Sequence, residues 1–145
     1  MKQFRFGLEK ILKLRRSREE EAKLELGKAV SVLGELEMKI EAAAEEKFRA
    51  MALRFVRGAS EIVHYDRYIL RLDKNREALL EAAVQAELAV EEARGAYMEA
   101  SRDRQVMDKL RDRRLGEYRR RSVLEEIAAS DDISGGRRAR SGIGG

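Results

Sequence analysis

The chain of 145 residues contains no cysteine, no proline and no tryptophan, and aromatic residues make up only 6% of it. The lack of cysteine excludes disulfides and thiol sites. The lack of proline, together with 40% charged residues, favours long solvated helices over a globular core. No stretch approaches eighteen uncharged apolar residues, and residues 1–16 lack the continuous apolar run of a secretory signal. We therefore expect one domain with no direct membrane span.

Residues that could perform chemistry are also scarce. His64 is the only histidine, and a metal site needs several converging ligands, so we interpret His64 as a solvated helix residue. The acidic run at residues 19–21 points in different directions on a helix. Neither of the glycine-rich phosphate-binding motifs, GxxxxGK[ST] and GxGxxG, is present. The sequence predicts no catalytic residue, no cofactor and no metal, and hence a protein that is not an enzyme.

Apolar residues instead follow the alternating three- and four-residue spacing of a coiled-coil seam. Arg76 is the only charged residue among twelve such positions in the second half of the chain. These twelve are Ile62, Tyr65, Ile69, Leu72, Arg76, Leu79, Ala83, Ala86, Val90, Ala93, Tyr97 and Ala100. The first half repeats the spacing at Ala22, Leu26, Ala29, Leu33, Leu36, Ile40, Ala43, Lys47 and Ala50. We call these two sets the seam.

Two matching seams separated by a short break predict an all-α protein, a long antiparallel two-helix coiled-coil hairpin with a disordered C-terminal tail. The predicted hairpin covers residues 1–129, with helices over 4–56 and 61–129, a turn over 57–60 capped by Ser60, and a flexible glycine-rich tail over 130–145. Folding about Gly58 would place Leu36 near Leu79 and Leu80. The second helix would then extend alone beyond about residue 112. A homodimeric structural rod stays an alternative.

Charge is divided into zones along the chain. Residues 2–18 carry seven basic side chains against one acid, a net +6, and residues 102–121 carry nine against four, a net +5. Residues 19–46 carry three against nine, a net −6, and residues 77–99 carry one against six, a net −5. In the hairpin, zones of like charge lie side by side, which weakens a coiled coil. External partners of opposite charge would explain this arrangement.

Two surfaces are candidates for partner contact. Beyond residue 104 the seam turns to arginine, and this basic helix is either solvated, placed in an acidic channel, or in contact with phosphates. Val123, Leu124 and Ile127 follow it as an apolar patch without a first-helix partner. Near the turn, aromatic residues such as Phe48 and Tyr68 either pack the hinge or form a docking face. A basic coiled coil that binds nucleic acid is a further alternative, but acids interrupt the basic residues, so we expect no nucleic acid as partner.

Three segments of the sequence resemble the flagellar export protein FliJ family. The first is Phe4-x-Phe6-x-Leu8-x-x-x-Leu12-x-x-Arg15, followed by Glu19 to Ala22. The others are Tyr65-x-x-Tyr68-Ile69-x-x-Leu72 and Leu110-x-x-x-Arg114-x-x-x-Tyr118. The resemblance covers most of residues 4–128, and the order of the motifs, the chain length and the hinge position agree with it.

The resemblance implies a central-stalk protein of the flagellar type III export apparatus, cytoplasmic and peripheral at the inner face of the membrane. The end carrying both termini would enter the hexameric flagellar export ATPase, and the hinge end would contact the cytoplasmic domain of the membrane export gate subunit. Export chaperones would be further partners. The implied gate contacts are Tyr68, Leu72, Asn75, Leu79 and Phe48. The expected ATPase contacts at the basic end are Arg111, Arg114, Tyr118, Arg121, Val123, Leu124 and Ile127.

Overall fold

The computed structural model describes the backbone of residues 2–58 and 60–143, and side chains as far as Arg138. Helix α1 spans Glu9–Arg57 and helix α2 spans Ile62–Ile143. No strand occurs in these described ranges. The predicted all-α class, with two long helices packed against each other, is confirmed.

The seam is the contact between the two helices. All nine seam positions of α1 are buried or half-buried, and so are eleven of the twelve positions of α2. The exception is Arg76, the one charged residue of the α2 set, which is exposed. Burial therefore follows the 3.5-residue repeat, as expected where side chains of one helix pack into the other.

The turn between the helices closes at Gly58, whose backbone φ is 85°. This left-handed conformation terminates many helices and favours glycine, because a Cβ there would crowd the backbone. Tyr65 N–H donates the first helical bond of α2 to Glu61 O, at 3.1 Å. Glu61 therefore stands at the N-cap position that the sequence assigned to Ser60, and α2 begins one residue later than predicted. Ala59, in the middle of the predicted turn, lies outside the described residues.

Both outer helix ends differ from the sequence prediction. Helix α1 begins at Glu9 instead of Phe4, and residues 2–8 are not helical. Helix α2 does not end at residue 129 but continues to Ile143. No proline is present to stop it, and glycines such as Gly135 and Gly136 cost only about 1 kcal/mol each in a helix. The flexibility of residues 130–145 stays a prediction, and its last two residues, Gly144 and Gly145, lie outside the described part.

The chain forms two compact units. The hinge unit is Arg18–Ala100, and the terminal unit is Met1–Ser17 with Ser101–Gly145. The helices pair antiparallel within each. In the hinge unit, Lys47 Nζ lies 2.8 Å from Asp73 Oδ1 and Arg54 Nε lies 2.7 Å from Asp66 Oδ1.

These ion pairs set the register of the hinge unit. Position 47 pairs with 73 and position 54 with 66, so the pairing is centred on residue 60 and not on Gly58. Leu36 therefore falls opposite residues 83 and 84, of which the buried Ala83 belongs to the seam, and the predicted pairing of Leu36 with Leu79 and Leu80 is wrong by about one helical turn. The centre moves because the chain reverses over residues 58–61, beyond the glycine that starts the turn.

Candidate interaction surfaces

The terminal unit contains a small core built from both ends of the chain. Leu12 is completely buried and lies in a cluster with Phe6 and Met107. Three half-buried residues, Phe4, Leu8 and Leu110, pack around the cluster. Residues 2–8 are not helical, yet they continue the pairing of α1 along α2, since Glu9 lies at Arg111 and Lys2, seven residues earlier, lies at Tyr118, seven residues later.

The N-terminal segment is held against α2 as far as Tyr118. The rings of Phe4 and Tyr118 lie 5.4 Å apart, and Tyr118 Oη donates a hydrogen bond of 2.6 Å to Lys2 O. The guanidinium of Arg114 lies 5.6 Å from the centre of the Phe6 ring. The prediction that α2 is unpaired beyond about residue 112 is therefore wrong, since these contacts extend the pairing by about six residues.

Two arginines at seam positions of the terminal unit, Arg104 and Arg111, are matched by acids. Arg111 Nε lies 3.2 Å from Glu9 Oε2. Asp108 accepts hydrogen bonds from Arg104 Nη1 at 2.8 Å and from Arg16 Nη2 at 3.0 Å. The hydrogen bond from Arg104, followed by that from Arg16, lowers the pKa of Asp108, against an opposing effect of burial. The helices thus stay paired where the apolar seam fails.

Sequence reasoning missed the structural role of Glu9 and Asp108. Asp108 follows Arg104 by four residues, a spacing that brings two side chains together on one helix face and is therefore a local signal for their bond. The pairing of Glu9 with Arg111 spans 102 residues of sequence and has no local signal.

Beyond Tyr118 the candidate residues are exposed. Arg121, Val123, Leu124 and Ile127 all have exposed side chains, and so does every described residue after Ser122. Of the seven predicted ATPase-contact residues, these four form an accessible extension of α2. Of the remaining three, Arg114 and Tyr118 contact the N-terminal segment (residues 2–8), and Arg111 pairs with Glu9 at the start of α1.

Four of the predicted gate-contact residues lie together on α2 in the hinge unit. The half-buried Tyr68 donates a hydrogen bond from its hydroxyl to Glu46, and this bond raises the pKa of the phenol. Leu72 and Leu79 are half-buried seam positions, and Asn75 is exposed. Tyr68 and Asn75 are seven residues apart and therefore share one line along the helix.

Phe48, the fifth predicted gate-contact residue, lies on a different side of the hinge unit. Its side chain is 75% exposed. Tyr68 contacts Glu46, and Phe48 follows Glu46 by two residues, a rotation of about 200° around α1. The structure therefore does not bring Phe48 and Tyr68 together. The sequence could not show this separation, because which side of α1 lies next to Tyr68 depends on how the two helices pair.

These features define an α-helical coiled-coil protein whose candidate sites are exposed faces. Neither helix, over its described residues, contains an apolar stretch of the length that a membrane span requires. The same part of the chain holds no group of three side chains suited to a metal ion.

The sequence profile of the family described as Flagellar FliJ protein matches residues 4–142. The chain therefore belongs to the FliJ family and is a component of the bacterial flagellar protein export apparatus. Comparison with curated proteins finds no match, and neither does comparison with solved structures.

Proposed function

We propose that this FliJ family member is a non-enzymatic central-stalk adaptor of the flagellar type III export apparatus. The terminal unit enters the export ATPase hexamer, and the hinge unit contacts the cytoplasmic domain of the membrane export gate subunit. Export chaperones are further partners, and the protein works in the cytoplasm at the inner face of the membrane. The observation that carries the proposal is the accessible extension of α2 after Tyr118, where Val123, Leu124 and Ile127 are exposed.

A single helix fits a narrow protein ring, because its diameter with side chains is about 10–12 Å. Burying an exposed valine, leucine or isoleucine on binding contributes about 1.5–3 kcal/mol each before the costs of association. Arg121 precedes the apolar residues, and exposed positive charge of this kind speeds encounter with an acidic partner. In this proposal Arg111, Arg114 and Tyr118 add charge and aromatic surface, while Arg114 and Tyr118 hold the N-terminal segment in place and Arg111 pairs with Glu9 of α1.

Replacing the apolar residues tests the ATPase contact. The variant Val123→Ser with Leu124→Ser and Ile127→Ser should bind the purified ATPase hexamer at least about tenfold more weakly than wild type and stimulate its hydrolysis less. Val106→Ser is the matched control, since Val106 is also exposed and lies on the same helix of the terminal unit. Equal binding by wild type and the triple variant would contradict insertion of this extension.

The gate contact needs a separate test, because Tyr68 also bonds within the chain. Tyr68→Ala with Asn75→Ala should reduce swimming and weaken binding to the cytoplasmic domain of the gate subunit. Tyr68→Phe removes the hydrogen bond to Glu46 but keeps the ring, and should retain both activities. If Tyr68→Phe failed as badly as the double variant, the hydrogen bond and not an aromatic docking face would be the essential feature.

A further inference from the structure

The hinge unit has two lateral faces that can be defined from the seam. On a helix each residue is rotated by 100°, so the residues before and after a seam position lie on opposite flanks. Tyr68 immediately precedes the seam residue Ile69, and it bonds to Glu46, which immediately precedes Lys47. The preceding flanks of both helices therefore share one side, and the following flanks share the other. We call these the preceding face and the following face.

Exposed apolar residues concentrate on the following face. Between residues 44 and 84 nine large hydrophobic side chains are exposed, and seven of them immediately follow a position of the seam spacing. On α1 these include Phe48, Met51 and Phe55, of which Phe55 is 81% exposed. On α2 they include Leu70 and Leu80. The preceding face holds only two, Leu53 and Val56, which precede Arg54 and Arg57 in the continued spacing.

The following face and the preceding face also differ in the sign of their charged residues. Between Lys23 and Arg94, the two basic residues of the following face, its charged residues are seven acids. Three of these acids are ion-paired: Asp66 and Asp73 with cations of α1, and Glu91 with Arg94 of α2. Others, such as Glu37 and Glu41, are exposed. Over the same range the preceding face mixes both signs, with Lys39 and Arg49 among acids.

We propose that the following face docks a basic amphipathic helix of a partner protein. Three side chains of α1, Phe48, Met51 and Phe55, are spaced three and four residues apart, which matches the apolar stripe of a third helix lying along the pair. The surrounding acids select lysine and arginine beside that stripe. Phe48 thus belongs to a surface distinct from the Tyr68 surface, and the proposal does not depend on the ATPase or gate contacts.

Charge also argues against two other occupants. An anionic membrane would meet the seven acids of this face with charge of the same sign, and so would a second copy placed face to face. Both would leave acids opposed across an apolar contact, where repulsion is least screened. With a cationic amphipathic helix as the occupant, both the apolar residues and the acids of the following face favour binding.

The test uses the full chain and a fluorescent 21-residue helical peptide with leucine at three- and four-residue spacing and lysine on both flanks. We expect saturable binding by anisotropy. Phe48→Ser with Phe55→Ser should weaken it at least about tenfold. Leu53→Ser with Val56→Ser is the matched control on the preceding face, and should bind as wild type. Circular dichroism checks that helicity is unchanged in each variant.

Charge reversal tests the second half of the proposal. Glu37→Lys with Glu41→Lys should weaken binding and make it less sensitive to salt, whereas Glu35→Lys with Glu92→Lys on the preceding face should do neither. Failure of the wild type to bind, equal effects on both faces, or equal binding of a peptide with glutamate in place of lysine would overturn the proposal. So would sedimentation showing a dimer of the chain that Phe48→Ser with Phe55→Ser dissolves, since the occupant would then be a second copy.

Discussion

The terminal unit and the hinge unit are stabilised in different ways by the same pair of helices. The terminal unit buries large side chains, with Leu12, Phe6 and Met107 drawn from three separate segments. In the hinge unit the buried residues are small: Ala43, Ala50, Ala83, Ala86 and Val90. Burial of a leucine contributes about 2–3 kcal/mol, whereas an alanine methyl contributes about 0.8 kcal/mol.

The two units also differ in whether their aromatic side chains pack inside the unit or remain on its surface. In the terminal unit the aromatic residues Phe4 and Phe6 pack inside the unit, and the large apolar residues left exposed are aliphatic. In the hinge unit the fully buried seam positions are alanines and one valine, and large residues such as Phe48 and Phe55 remain on the surface. The fully buried side chains of the hinge unit are small, while its large apolar side chains are exposed. Exposed apolar surface of this kind is typical of sites that bind other proteins.

The largest expected effect is the loss of the terminal core. Leu12→Ala should lower the free energy of unfolding by about 2–5 kcal/mol, because a completely buried leucine leaves a cavity. The matched change Ile11→Ala, at an exposed neighbour, should cost far less. Chemical denaturation followed by circular dichroism measures both. Similar losses for the two variants would contradict a core confined to one face of α1.

A covalent link sharpens the register of the hinge unit. Cysteines replacing Leu36 and Ala83 should form a disulfide within one chain and stabilise it by about 4 kcal/mol, since the closed loop is long. Cysteines replacing Leu36 and Leu79 should link poorly, being about one turn out of register. Electrophoresis without reductant reads the outcome. Links mainly between chains would instead support the homodimeric structural rod.

The glycine at the turn should matter more than a glycine within α2. Gly58→Ala should destabilise the protein by about 1–2 kcal/mol, because φ is 85° and an added Cβ is strained there. Gly95→Ala should stabilise it by about 1 kcal/mol, since Gly95 is helical and a Cβ there meets open space. Thermal melting distinguishes the two signs. Stabilisation by Gly58→Ala would show that the turn does not require the left-handed conformation.

The smallest effect concerns acid sensitivity of the terminal unit. The pKa of Asp108 is lowered in the folded chain, so its contribution to stability is present above the ordinary aspartate pKa of about 3.9 and is lost as the pH falls through the folded value. Asp108→Asn should therefore lower the melting temperature slightly at pH 7 and make little difference at low pH. Asp112→Asn, at an exposed acid one turn away, serves as control. A difference between Asp108→Asn and wild type that is equally large at both pH values would exclude the ionised carboxylate as its cause.

The helices and the seam could be predicted from sequence because they depend on local repetition. Side chains three and four residues apart share a helix face, so the positions from Ile62 to Ala100 reveal their contact surface without knowledge of the partner helix. The role of Gly58 was also predictable, because few other residues terminate a helix in this way. Both inferences use only neighbouring residues.

The tertiary structure decided how the two stripes meet. The position at which the turn closes places Leu36 opposite Ala83. A shift of α2 along α1 by one helical turn would leave the seam spacing of each helix unchanged but would change every pair of facing residues. The non-helical residues 2–8 contact Arg114 and Tyr118, which are more than a hundred residues away. Such contacts lack a local signal, because the free energy that selects them arises only when distant segments are brought together. The sequence alone therefore determined the helices and their contact stripes, whereas the register and the separation of Phe48 from Tyr68 required the folded pair.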